Sequence, residues 1–190
     1  MISQRHTRNS TNGPTHIRAT KPALKFYAFK LVLTDWRYEL PGDTRNMLLA
    51  VVLNNWVRRR CASIAAYLIT NRSVYLLIAV RHKKLVYALR ELLVSLVHEL
   101  SEHYRYITSE KHQDYQYGYL ARLHDRRLLK LLVTCNKTGI IDPTLRRWQH
   151  KLNNAHYSSV IDYQGGTGPV IIRLLPPKRR CDIIDRHVIT

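Results

Sequence analysis

Residues 62–80 read ASIAAYLIT-NR-SVYLLIAV, two runs of strand-forming side chains separated by two polar residues. That spacing predicts a β-hairpin: Ala62–Thr70 forms one strand, Asn71-Arg72 the tight connection, and Ser73–Val80 the antiparallel partner. Upstream, FYAFKLVLT from Phe26 to Thr34 reads as a further strand. Between it and the hairpin, a Pro41-Gly42-Asp43 turn precedes a helix that runs to about Arg60, with Asp43 or Thr44 as its expected N-cap. Met47, Leu48, Val51, Val52 and Trp56 recur there at helical spacing.

Downstream, a second long helix is predicted from about Lys84 to Tyr104. Leu85, Val86, Leu89, Leu92, Leu93, Leu96, Val97 and Leu100 form its expected buried stripe. The aromatic segment Tyr115–Leu120, YQYGYL, reads as a fourth strand. Strand, helix, strand, strand, helix, strand is the split βαβ order. It predicts an α+β, ferredoxin-like βαββαβ sheet with two helices packed on one face. Additional C-terminal helices follow: Asp125–Cys135 (DRRLLKLLVTC), and one opened by Asp142-Pro143 that runs to about Leu152. Beyond them, Gly165-Gly166-Thr167-Gly168 is read as a flexible turn, and PVIIRLLPPKRR as a strand leading into a basic tail. The expected organisation is a basic flexible tail over residues 1–22, one domain over 23–166, and a basic extension over 167–190.

Charge sets the class of partner. The 190 residues carry 31 Lys and Arg against 13 Asp and Glu, a net charge of +18. A charge that large repels itself in the folded state, so an anionic partner is expected. Polyphosphate is favoured over an anionic membrane, because the basic residues are spread through the folded segment as well as the tails. Residues 1–22 lack an apolar core, and no run of eighteen apolar residues occurs, so neither a secretory leader nor a membrane span is expected. Cys61, Cys135 and Cys181 are isolated and odd in number. They predict neither a zinc site nor a disulfide framework, and fit a reducing cytoplasm.

Four segments in order carry a resemblance. AYLITNRSVYLL (Ala66–Leu77) is similar to the strand of REP-associated tyrosine transposases and related insertion-sequence enzymes, in which an Asn precedes His-hydrophobic-His and two apolar residues. FYAFKLVLT resembles their first strand, and Tyr115–Tyr119 (YQYGY) their aromatic-Gln-x-Gly-Tyr segment. AHYSSVIDYQGG (Ala155–Gly166) resembles their aromatic-Ser-Ser-x-x-x-Tyr-x-Gly ending. In active members the two histidines hold a divalent metal that polarises a phosphate of single-stranded DNA beside a hairpin, and a helical tyrosine attacks it. Carried onto this chain, the histidine positions fall on Ser73 and Tyr75, which are poor metal ligands. The tyrosine falls on Leu132, or on Leu131 after a one-residue shift, and the Asn-Pro that follows it has become Asn136-Lys137. The resemblance therefore implies a degenerate member with no metal, no cofactor and no catalytic residues, which binds a hairpin or structured single strand of DNA or RNA. A nuclease using other residues, and a scaffold whose basic surfaces dock a protein within a nucleoprotein complex, are the competing readings.

The other polar groups are read as surface. His98 and Glu102 stand four apart on the second helix and His112 lies near Asp114, but no HExxH or HxH spacing occurs. The glycine run at 165–168 lacks the Lys-Ser ending of a phosphate loop. The expected nucleic-acid contacts are the clusters Arg58, Arg59 and Arg60; Arg122, Arg126, Arg127 and Lys130; Arg146, Arg147 and Lys151; and Lys178, Arg179 and Arg180. Together they predict a continuous phosphate-tracking surface, with Tyr115, Tyr117, Trp148 and Tyr157 available to stack on unpaired bases.

Overall fold

Strand β1 (Lys25–Leu33) organises the sheet. A computed structural model describes residues 24–60, 62–105, 117–134, 148, 152 and 155–189. One edge of β1 pairs antiparallel with β3 (Ser73–Val80), from Lys25 opposite Val80 to Val32 opposite Ser73. Its other edge carries β4 (Gly118–Arg122), with Leu33 opposite Gly118 and Phe29 opposite Arg122. The outer side of β3 pairs with β2 (Ser63–Ile69). The order is β4-β1-β3-β2 with every neighbour antiparallel. The expected hairpin is present, with β3 spanning the predicted residues.

Both faces of this sheet are buried, which is why β1 and β3 read as almost unbroken apolar runs. Tyr27, Phe29, Leu31 and Leu33 enter one core with Val74, Leu76 and Ile78. Ala28 and Leu77 enter a second core on the opposite face. Strand β2 breaks the two-residue alternation: its register shifts between Ile64 and Ala66. The bulge sends Ala65 and Ala66 together to the second face, while Ile64 and Tyr67 face the first.

The first face is covered by α1 (Gly42–Arg58) and α2 (Leu85–Arg105). The indole N–H of Trp56 donates to the Ala88 carbonyl at 2.7 Å and joins the two helices. The buried arc of α1 is Arg45, Leu49, Val52, Leu53 and Trp56, so Met47 and Val51 lie outside it, 55% and 39% exposed. On α2 the arc is Ala88, Leu92, Leu96 and Leu100 at four-residue steps. Val86 and Val97, expected in the stripe, sit more than 100° round the helix from Leu92 and are exposed. The expected side-chain cap at Asp43 or Thr44 is also corrected. The helix begins at Gly42 after Pro41, whose carbonyl accepts from the Arg45 N–H, with no side-chain cap.

The second face is covered by α3 (Arg126–Thr134), a single turn α4 (Val160–Tyr163), and the C-terminal segment. Leu128, Leu129 and Leu132 are essentially inaccessible, and each contributes roughly 1.5–3 kcal/mol by its burial. Leu175, Ile183, Ile184 and Val188 beyond residue 167 enter the second core, and no strand forms at 169–176. Helical turns over Pro177–Asp182 and Ile183–His187 lead into β5 (Val188–Ile189). This strand pairs parallel with Phe26 and Tyr27, on the stretch of the β1 edge below β4. Strand β4 is described from Gly118; Tyr115 and Gln116, where it was expected to begin, lie outside the described residues. A Cβ at Gly118 would lie 2.8 Å from the Val32 carbonyl, so this close crossing requires glycine. The predicted tail over 1–22 lies outside the described residues. So does the predicted helix ending near Leu152, save Trp148 and Leu152, which are helical. Among the described residues, no helix is long and apolar enough to cross a membrane.

Candidate nucleic-acid interface

The β2–β3 turn is tied down from two sides. The Thr70 hydroxyl accepts from the Ser73 N–H at 3.1 Å, and the Thr70 N–H donates to the Ser73 carbonyl at 2.9 Å. From α1, the buried Arg45 guanidinium donates to Asn71 Oδ1 at 2.9 Å and to the Arg37 carbonyl at 3.0 Å. Burial lowers the Arg45 pKa, Arg37 lowers it further and Asp43 opposes them. A buried cation is thus spent on holding a turn in place.

Ser73 and Tyr75, two residues apart on β3, share the second face. Ser73 is buried, and its side chain acts on the Tyr75 phenol from two residues away. The half-buried Tyr75 ring meets Trp148 edge-on, with centroids 5.4 Å apart, and Lys30 Nζ stands 5.7 Å from its centroid. Burial raises the Tyr75 pKa, the Ser73 side chain lowers it and Asp125 raises it, so the phenol is neutral at physiological pH. Beside this pair opens a cleft of about 420 Å³, walled by Tyr75 and Trp148 and rimmed by Thr70, Asn71 and Arg72. Tyr119, opposite Val32 on β4, is 51% exposed. An apolar, partly aromatic cleft with amide, hydroxyl and guanidinium groups at its mouth suits an unpaired base beside its phosphate.

Leu132 is wholly buried in the second core, and its carbonyl accepts from Ser159 Oγ at 3.2 Å. Among the described residues there is no group of three or more His, Cys, Asp or Glu side chains placed to hold a metal ion. The segment 155–166 closes the outer edge of β2. Ser158 bridges Leu68, Ser159 exchanges bonds with Tyr67, and the Tyr163 hydroxyl donates to the bulged Ala65 carbonyl at 2.9 Å. The glycine run is pinned rather than loose: Gly168 N–H donates to Asp162 Oδ1 at 3.0 Å.

The predicted basic residues divide into groups. Arg58, Arg59 and Arg60 close α1, a helix of the first face, with Arg59 3.9 Å from Glu91. Arg122 ends β4, and Arg127 is exposed on the first turn of α3. Arg126 donates to the Asp185 carbonyl at 3.0 Å, and Lys130 pairs with the Asp185 carboxylate at 2.8 Å. Arg180 donates to the Leu175 carbonyl and stacks on Tyr163. Arg126, Lys130 and Arg180 therefore fasten the C-terminal segment, and Lys178 is exposed near them. Arg146, Arg147, Lys151 and the Arg179 side chain lie outside the described residues, as does Tyr115. The α1 and α3 clusters sit over opposite faces of the sheet, so the two do not form one strip. Of the expected stacking groups, Tyr117 is buried, its carbonyl accepting from Trp36, and Tyr157 is partly buried against the first core.

Sequence reading passed over Lys30, Arg45, Asn71 and Arg72. Lys30 carried a signal, as the one charge inside FYAFKLVLT. The run Arg81-His82-Lys83-Lys84 was also missed. No family model, no curated protein and no solved structure matches this chain.

Proposed function

We propose that this chain binds structured single-stranded or hairpin DNA or RNA without cutting it, as a degenerate relative of the REP-associated tyrosine transposases. The observation that carries the reading is the cleft in which Tyr75 meets Trp148 beneath Lys30, Asn71 and Arg72. The antiparallel order β4-β1-β3-β2, with α1 and α2 on one face, supports a ferredoxin-like sheet. Tyr75 and Ser73 stand at the strand positions that the resemblance gives to metal ligands, and Leu132 stands in the core where it gives the nucleophile. The net charge of +18 supplies the sequence-independent attraction.

Labelled stem-loops and unstructured oligonucleotides, in DNA and RNA, test this by fluorescence anisotropy. Tyr75→Ala and Trp148→Ala are each expected to weaken binding by about 1–3 kcal/mol, the usual contribution of one base–aromatic stack. A stem-loop incubated with Mg²⁺ or Mn²⁺ is expected to return intact and free of covalent adduct. A protein–DNA adduct would overturn the non-cleaving reading, and absence of binding in dilute buffer would overturn the whole.

A further inference from the structure

The end of the sheet remote from the aromatic cleft holds a second opening, of about 340 Å³, into which Arg60, Arg81 and Lys84 converge. Arg60 and Arg81 are far apart in sequence. Hairpin register joins them, since Ser63 pairs with Ala79 and sets the start of β2 beside the end of β3. The opening is lined by no acidic side chain among the described residues, and the chain carries no Asp or Glu between Asp43 and Glu91.

Two features fix these cations in place. His82 is hydrogen-bonded to the Tyr27 hydroxyl and stacked on its ring, which anchors the 81–84 turn to β1. Arg60 adopts φ 56°, a left-handed backbone that favours glycine or asparagine at the end of a helix. Three exposed cations gathered with no acidic side chain among them repel one another, and a bound polyanion offsets that repulsion.

We propose that this opening is a second nucleic-acid contact, which grips the sugar–phosphate backbone while the aromatic cleft takes a base. The inference rests on the function proposed above and adds a length requirement to it. The two sites lie at opposite ends of β3, whose eight residues advance about 3.3 Å each, a span of roughly 23 Å along the strand; the basic opening adjoins the first core and Tyr75 the second, so the bound strand must also round the end of the sheet. One strand of a duplex rises about 3.4 Å per nucleotide, so a stem must offer at least about seven base pairs to reach both.

Two stem-loops with the same loop, one with four base pairs and one with ten, separate the sites. Wild-type protein is expected to bind the longer stem at least about tenfold more tightly, with a slope of log K against log salt steeper by about 2.7, for three further phosphates. The triple substitution Arg60→Ala, Arg81→Ala and Lys84→Ala is expected to bring the longer stem close to the affinity and slope of the shorter, while the shorter loses far less, through the lower net charge alone. Arg60→Lys with Arg81→Lys retains the charge and is expected to keep the difference, so a loss through misfolding is distinguishable. Tyr75→Ala with Trp148→Ala is expected to weaken both stems alike. If the triple variant keeps the wild-type slope on the longer stem, this site is overturned while the base cleft stands. If neither stem binds at low salt, the proposed function itself falls.

Discussion

Tyr67 shows how one side chain can be structurally central and electrostatically costly. Its ring is wholly buried in the first core, while its hydroxyl reaches the Asp162 carboxylate and the Val170 backbone without a well-formed hydrogen bond. Gly168 makes room for this approach: a Cβ there would lie 2.5 Å from Asp162 Oδ2 and 2.6 Å from the Tyr67 hydroxyl. Burial raises the Tyr67 pKa far above its ordinary value, Asp162 adds to the rise and the Val170 backbone opposes it. In the unfolded chain a phenol loses its proton near pH 10. Above that pH the unfolded state alone ionises, so stability that is whole below pH 10 falls as pH climbs toward the folded value. Tyr67→Phe is expected to change stability at pH 7 by less than about 1 kcal/mol. It should also remove up to about 1.4 kcal/mol per pH unit from the loss between pH 10 and 11. Urea titrations across that range check both, and an unaltered alkaline slope would show that Tyr67 ionises as freely in the fold as outside it.

Strand β2 is completed by neighbours remote in sequence. It is the outer strand of the order β4-β1-β3-β2, and an open edge of that kind invites pairing with other chains. Ser159 closes it: its hydroxyl accepts from the Tyr67 N–H at 3.1 Å and donates to the Leu132 carbonyl, joining β2 to α3. Ser159→Ala would leave both groups unpaired in a dry core and is expected to cost about 2–3 kcal/mol in equilibrium urea unfolding. A cost below about 0.5 kcal/mol would show that the linkage is dispensable. The same strand marks what sequence can reveal. A two-residue polar break between apolar runs fixed the turn, because a hairpin has few ways to close. The side chains of the Ser-Ser and Tyr163 motif could be seen, but their work in closing an edge and meeting a bulged carbonyl depends on β2 lying alongside. In β4 the aromatic β-formers flanking Gly118 were visible, but the close crossing of β1 that demands glycine there was not. The helical spacing of Met47 and Val51 was visible, while the orientation of α1 that leaves them exposed was not.

At the scale of the whole molecule, one sheet carries cores on both faces, and the second is completed by the C-terminal segment. That segment was read as a tail because its strand is two residues long and its turns are interleaved with charge, leaving no period to detect. Removing residues 183–190 would delete the buried Ile183, Ile184 and Val188, worth together about 5–9 kcal/mol. Against a typical domain stability of about 5–15 kcal/mol, the truncated chain is expected to lose its cooperative thermal transition. A melting temperature within a few degrees of the full chain would refute this. The basic opening at the far end of β3 was likewise invisible in the sequence, since Arg60 and Arg81 meet only through strand register. The pairing of Val188 and Ile189 with Phe26 and Tyr27 also has a consequence during synthesis. Strand β1 leaves the ribosome early and its last neighbour late, so at about 5–20 residues per second the nascent chain waits on the order of ten seconds with that neighbour missing. Over this interval a chaperone, or the repulsion between like-charged nascent chains, has to keep polysome neighbours from taking the vacant place.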